Sequence, residues 1–315
     1  MFFRTGFAAL CAAATLSAAP LAAQGYPERP VEFIVPWSPG GGSDTLMRLV
    51  AGNIEPHLGV ELPIINMPGV GGTVGLREAS RRKADGYTIS QVHEGLLVAT
   101  ETGITDLAWD DFEPIALMTA SPQYLVVHPT DDYGNFEEFV SYAKENPGEI
   151  TIGVTLGGVP HLHAAMIEQA FDIQFSYVGY EGTGERVRAL VGGNLDAAIG
   201  DISSSLQFVE SGDLAFLAVG SPERVEETPD VPTFMELGAD LELNVTRGIV
   251  MPKGTPQEAR DKMEAALQAL SQDETYVEQT NNAGASVMFR GQDGYHAYLE
   301  KLDATVKSLS QVLAQ

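Results

Sequence analysis

Four times in this chain a glycine-rich turn is followed by a segment of helical pattern: PWSPGGGSD at residues 36–44, GVGGTVG at 69–75, TLGGVPH at 155–161 and YEGTG at 180–184. The first of these follows the apolar run of residues 31–35 and leads into a segment whose Leu46, Val50 and Ile54 form one apolar stripe. Strand, glycine turn and helix in that order restrict the fold class to α/β layers. The rest of the sequence agrees. Apolar runs at 62–65, 87–92, 124–127, 150–154, 197–199 and 216–219 alternate with helical patterns at 135–146, 161–171 and 183–193. Tyr295, Tyr298, Leu299, Leu302, Val306, Leu309 and Leu313 recur at three- and four-residue steps, which predicts a packing helix at the C-terminal end.

Punctuation divides this α/β pattern. Ser121-Pro122 and the proline-rich 229–232 mark places where the chain leaves one lobe for another, and the apolar segment 241–250 reads as a strand returning to the first. The expected organisation is therefore 24–123 plus 247–315 as a discontinuous first lobe and 124–246 as the second. Each is a mostly parallel sheet flanked by helices, with a ligand cleft between them.

The loops suggest what the cleft holds. Three consecutive glycines at 40–42 remove Cβ atoms and free the backbone N–H groups to converge on one anionic oxygen. Ser43 or Asp44 can cap the helix that follows, whose partly positive end adds to the attraction. A carboxylate or phosphate suits such a site. The loop at 69–75 only loosely matches a dinucleotide fingerprint and reads as a second cleft wall or as a structural turn.

Charge narrows the partners. With 18 Lys and Arg against 43 Asp and Glu, a formal charge of −25, the chain is not a nucleic-acid binder or a ligand for anionic membranes. An anion site here has to be built locally. Residues 1–23, with Arg4 followed by small and apolar residues, read as a signal peptide cut between Ala22 and Gly25, so a periplasmic location is expected. The one cysteine, Cys11, leaves with that segment, and the mature chain then has no thiol chemistry.

Enzyme signatures are weak. Ser80 and Lys83 match Ser-x-x-Lys, but no Ser-Asp-Asn follows, and 253–255 reads Lys-Gly-Thr instead of Lys-Thr-Gly. A hydrolase using Ser80 and Lys83 is the alternative reading. A metal or cation carrier using His161 and His163 is a third, although residues two apart on a helix point in different directions. His93 stands just past a strand, facing the cleft or the interior. Nothing in the loops supplies a nucleophile with its own base, so neither catalysis nor a cofactor or metal is expected.

Read together, YPERPV at 26–31, IVPWSPGGGSD, NMPGVGGTVG, ADGYT, VGYEGTG, PDVPTFMELG and MPKGTP resemble, in order and spacing, the solute-binding receptors of tripartite tricarboxylate transporters, the Bug-like proteins. The resemblance implies a two-lobed periplasmic receptor, expected to act as a monomer, that captures a small organic carboxylate and hands it to a membrane permease. It places the ligand against Trp37, Ser38, Gly41, Gly42 and Ser43, with Asp44 organising the loop. Tyr180, Gly182 and Thr183 answer from the second lobe, and the wall from Thr155 through Gly157 to His161 completes the pocket. Three departures stand out. Trp37 replaces the usual Phe, Asp201 falls one residue later than the usual acid, and Thr246 replaces the usual Trp, which suggests a lost pocket wall. Arg247, ending an apolar strand between lobes, is either the cationic partner for a ligand's second charged end or a brace of the hinge paired with an acidic neighbour.

Overall fold

The computed structural model describes residues 25–313 except 38, 41, 130, 131, 181 and 182, and all but the side chain of Ser203. The expected signal segment lies outside the described residues, as do Ser38, Gly41 and Gly182 of the expected site. The strands are β1 (Glu32–Val35), β2 (Ile64–Asn66), β3 (Thr88–Val92), β4 (Phe112–Pro122), β5 (Tyr124–Val127), β6 (Thr151–Val154), β7 (Ser176–Gly179), β8 (Ala197–Gly200), β9 (Ala215–Val219), β10 (Asn244–Pro252) and β11 (Ser286–Arg290). The helices are α1 (Gly42–Asn53), α2 (Glu55–Leu58), α3 (Thr73–Arg81), α4 (Gly95–Glu101), α5 (Phe136–Glu145), α6 (Val159–Phe171), α7 (Thr183–Val191), α8 (Ile202–Glu210), α9 (Gln257–Leu270), α10 (Glu274–Asn282), α11 (Gln292–Ser308) and α12 (Ser310–Leu313).

The strands form two sheets, in the orders β11-β4-β10-β3-β1-β2 and β7-β6-β8-β5-β9. Strand β1 shows why continuous apolar runs were legible as strands. Phe33 and Val35 pack against Leu46, Met47 and Val50 of α1, while Ile34 faces the opposite layer with Leu76 and Leu96. A strand covered by helices on both faces has no polar side to show.

Both sheets are mixed, not mostly parallel. Each has a parallel trio, β2-β1-β3 and β7-β6-β8, produced by strand–helix–strand units. The remaining ladders are antiparallel because β4 and β10 carry the chain between sheets in opposite directions. They pair from Asn244↔Pro122 to Pro252↔Phe112. Only Gln123 separates β4 from β5.

The crossing is latched by backbone. Gln123 N donates to Leu243 O (2.8 Å), Leu243 N to Gly220 O (2.9 Å) and Gly220 N to Gln123 O (2.8 Å). A Cβ on Gly220 would lie 2.4 Å from Leu243 Cβ, so only glycine allows this approach. The return to the first sheet thus runs through Leu243–Asn244, within the segment 241–250 read as the returning strand, while residues 229–232 lie earlier. The latter segment stays with the second sheet, where Thr233 bridges Val219 and Val231 packs beside Val219.

Helix α6 follows β6 of the second sheet, yet its Leu162 and Ala165 share a core with Leu96 and Leu97 of α4 and with Leu309 and Leu313. The C-terminal apolar stripe is as read, but it is broken between α11 and α12 at Leu309.

Candidate functional site

Open parallel sheets place ligands outside the carboxyl ends of their strands. The first trio ends in residues 36–41 after β1, 67–72 after β2 and His93 after β3; the second ends in 155–158 after β6, 180–182 after β7 and Asp201 after β8. These positions carry nearly every residue singled out in the sequence.

In the first loop, Asp44 organises the backbone. It is buried in the first turn of α1. One oxygen accepts from Gly40 N (2.8 Å) and Arg48 Nε (2.9 Å), the other from Asn66 Nδ2 (2.7 Å). Asn66 also donates to Trp37 O (3.0 Å), so β2 holds the loop through one amide. Burial alone would raise the Asp44 pKa, but the hydrogen bonds from Arg48, Gly40 and Asn66 outweigh it and hold the carboxyl below its usual range. The helix begins at Gly42, so Ser43 sits inside its first turn and is not the cap. Positive φ falls at Gly40 (80°), not at Gly42.

Trp37 forms a wall. Its ring stacks on His93 (centroids 4.4 Å apart, 14° between planes), and its Nε1 donates to Gln91 Oε1 (2.7 Å). Behind it stands the second glycine loop. Gly72 has φ 88°, and a Cβ there would lie 2.9 Å from Trp37 Cζ2. That loop is therefore a structural support for Trp37. His93 Nδ1 accepts from Gly95 N (2.8 Å), which leaves the ring hydrogen on Nε2. Burial, then the charge of Arg247, pushes the His93 pKa down to about 3, so the ring is a neutral donor.

Arg247 lies on β10, only 7% exposed. It donates from Nε to Ser43 Oγ (3.1 Å) and from Nη1 to Ser121 Oγ (3.0 Å) and Val245 O (3.1 Å). A Cβ on Gly42 would be 3.4 Å from its Nη2. The guanidinium thus lies over the first turn of α1, beside the glycine loop. No ion pair to Arg247 occurs among the described residues. Burial pulls its pKa down to about 10, against the opposing charges of Glu94 and Asp201.

Thr246 faces the other way. Its N donates to Glu94 Oε1 (2.9 Å), its hydroxyl bonds the same oxygen, and Tyr298 OH donates there as well (3.1 Å). Burial raises the Glu94 pKa. Alternation along β10 therefore puts Arg247 on the α1 side and Thr246 on the α11 side. Thr246, expected to open a pocket wall, thus lies on the face opposite Arg247. It lines instead a cavity of about 510 Å³ behind the strand, between α6 and α11.

In the second set of loops, Thr155 Oγ1 donates to Tyr180 O (2.9 Å), joining two of them. Asp201 caps α8, accepting from Ser204 N (2.9 Å). Its charge favours the protonated forms of both Arg247 and Arg186, which places it near the junction of the two sheets. Gly157 has φ 67°, and a Cβ there would lie 3.4 Å from Ile104 Cδ1 of the opposite half. His161 is not brought to this surface. It is buried edge-on to Tyr177 (4.6 Å), and its Nδ1 accepts from Gly157 N (3.2 Å). It anchors the loop from behind.

The alternative constellations do not assemble. Ser80 Oγ donates to Arg77 O of its own helix (3.0 Å), and the Lys83 side chain is 85% exposed and pairs with Asp85 (3.4 Å). His163, two residues along the same helix, is buried, and burial holds its pKa at about 3. The sequence reading missed Arg186, Asn66 and Gln91. Arg186 had a signal: with Thr183, Val187 and Leu190 it lies on one helical face, the face α7 buries.

Known proteins place the chain. The description "Tripartite tricarboxylate transporter family receptor" matches residues 46–311. A protein of Cupriavidus necator encoded in the gbd 5′ region is 32% identical over 271 residues, covering 84% of this chain and 82% of the relative. A TctC solute-binding protein from Polaromonas, solved without ligand, superimposes with a TM-score of 0.81 at 28% identity, covering 91% of this chain and 99% of that one. MatC from Rhodopseudomonas palustris with bound malate gives 0.70 at 26% identity, covering 91% and 100%. With two helix-flanked sheets and loops converging at the strand ends, this chain belongs to the tripartite tricarboxylate transporter receptor family.

Proposed function

We propose that the protein is a periplasmic receptor that closes on a small organic carboxylate and delivers it to the permease of a tripartite tricarboxylate transporter. The lobes are divided at Gln123 and Leu243, the first lobe being discontinuous. Di- and tricarboxylates and aromatic carboxylates are the substrate class, and the receptor acts as a monomer. The carrying observation is Arg247: a buried guanidinium, bonded to neutral oxygens, lying over the first turn of α1 beside Ser43. Among the described residues no acid bonds it; a buried cation so placed is costly, and a ligand carboxylate supplies the charge where the helix end and loop already favour it. Malate bound to MatC supports the same class. Among the described residues the site offers donors and a wall, Trp37, and no activated nucleophile, and the reading is binding without chemistry. Loop residues from both lobes meet the ligand, so closure about Gln123 and Leu243 exchanges its water for protein donors.

Thermal unfolding against a panel of carboxylates, sugars, amines, calcium and zinc tests this. A ligand at 100 times its Kd contributes about 2.7 kcal/mol and raises the Tm by several degrees. A carboxylate is expected to do so. Stabilisation by sugars, amines or metal ions, with every carboxylate silent, overturns the proposal.

A further inference from the structure

The second lobe carries its own buried cation. Arg186 is only 2% exposed and sits in the first turn of α7, where the helix end is partly positive and disfavours a cation. Among the described residues it forms no ion pair. Its nitrogens donate to Ile199 O (2.6 Å), Thr183 Oγ1 (2.9 Å) and, at 3.5 Å, Thr155 Oγ1. Thr155 passes the contact on to Tyr180 O. One side chain therefore ties together the tips of β6, β7 and β8, the three strands whose ends form this half of the site. The charge of Asp201 acts on both Arg186 and Arg247, and Glu94 acts on Arg247 as well.

We infer that Arg186 is the positioning residue for a second ligand carboxylate. It fixes Thr155, Tyr180 and Thr183 and gives their loops a positive potential, while the first carboxylate rests with Arg247 and α1. The inference rests on the proposed carboxylate-receptor reading and adds which residue confers preference for two charges over one. A guanidinium buried beneath these loops adds positive potential to this half of the site, which favours a dianion over a monoanion. Arg186 acts through the loops it holds and through its charge, since its own atoms are covered.

The test compares acids matched in skeleton: malate with 3-hydroxybutyrate, and adipate with hexanoate. Calorimetry gives the ratio of monoacid to diacid Kd for wild type, Arg186→Gln and Arg186→Lys, with a melting curve for each. Arg186→Gln keeps donors but loses the charge, and should lower the ratio at least tenfold, mainly by weakening the diacid. Arg186→Lys keeps the charge, and should retain most of the ratio even if it lowers the Tm. A ratio unchanged in Arg186→Gln, or lost equally in both variants, overturns the inference while leaving the receptor reading intact. A wild-type protein that binds no carboxylate overturns both. If Arg186→Gln does not fold, the Lys variant decides: a ratio lost while the charge is kept refutes the role.

Discussion

Arg247→Met removes a charge while keeping much of the side-chain length, and its consequences for binding and for folding should separate. In the free protein the guanidinium bonds Ser43 Oγ, Ser121 Oγ and Val245 O, all neutral. Losing these bonds costs stability, but losing a buried charge relieves desolvation. The two effects oppose, so the melting temperature should move by the equivalent of no more than about 1–2 kcal/mol. Binding has no such offset. A carboxylate about 4 Å from a guanidinium gains about 4 kcal/mol at an effective dielectric of 20, and truncating one partner of a buried charge pair costs about 2–5 kcal/mol. That is a rise in Kd of about 30- to 4,000-fold. Because Arg247 shares its subsite with Gly42 and Ser43, malate and 3-hydroxybutyrate should lose by similar factors. Calorimetry reads the affinities. A proton-NMR titration of His93 gives an independent check, since removing Arg247 takes away the second cause of its depressed pKa and should move it upward. Wild-type affinity for both acids in the variant would refute the assignment. A loss confined to the diacid would return Arg247 to a separate pole.

Gly42→Val places a branched side chain where a Cβ alone is 3.4 Å from Arg247 Nη2, so carboxylate affinity should fall more than tenfold while the fold survives; calorimetry and a melting curve on one sample check both. Gly248→Ala drives a methyl to 2.1 Å from Tyr295 Cζ of α11, and overpacking of this kind costs about 1–3 kcal/mol, read as a Tm drop of several degrees. His163 must be neutral to stay buried, and its folded pKa of about 3 lies below its unfolded one, so stability falls as pH drops below about 6.5 and keeps falling towards the folded pKa. His163→Leu should flatten that acid limb by up to about 1.4 kcal/mol per pH unit in denaturant melts; an unchanged slope assigns the limb to other groups.

The parts of the fold that were legible were those with one strong local signal. Continuous apolar runs gave β1, β3, β5, β6, β8 and β9 because strands covered on both faces need no polar residues. The longest strand, β4, was not legible. Its apolar stretch at 115–118 has no period of its own, and Pro114 and Pro122 argue against a strand. The prolines are tolerated near the ends of the β10 ladder, opposite Val250 and Asn244. The first glycine loop and Asp44 were legible because backbone needs alone dictate those residue types. Side-chain direction on β10 was not. Whether Thr246 or Arg247 faces α1 depends on the β4–β10 register, a tertiary fact, and one step along a strand reverses the face. Arg186 stayed hidden because Glu185 and Arg188 beside it made the segment look like an ordinary solvated helix start.

The acid excess and the proposed ligand seem opposed only while all charges are given equal weight. A formal charge of −25 repels an anion at long range, yet at physiological salt those fields fade within about 8 Å. Arg247 and Arg186 are buried, and screening ions do not reach between them and a ligand held in a closed cleft. Asp44, the acid closest in sequence to the glycine loop, is spent on Arg48, Gly40 and Asn66. His93 is held neutral and adds no charge. The sign of the surface therefore acts on the rate of approach, and the sign of the buried groups acts on the lifetime of the complex. Added salt should accordingly speed association of a dicarboxylate and leave its dissociation rate almost unchanged, which stopped-flow measurement across ionic strengths can separate. An association rate that falls with salt would mean a cationic face steers the ligand inward, and the local construction argued from Arg247 and Arg186 would then be the wrong explanation for capture.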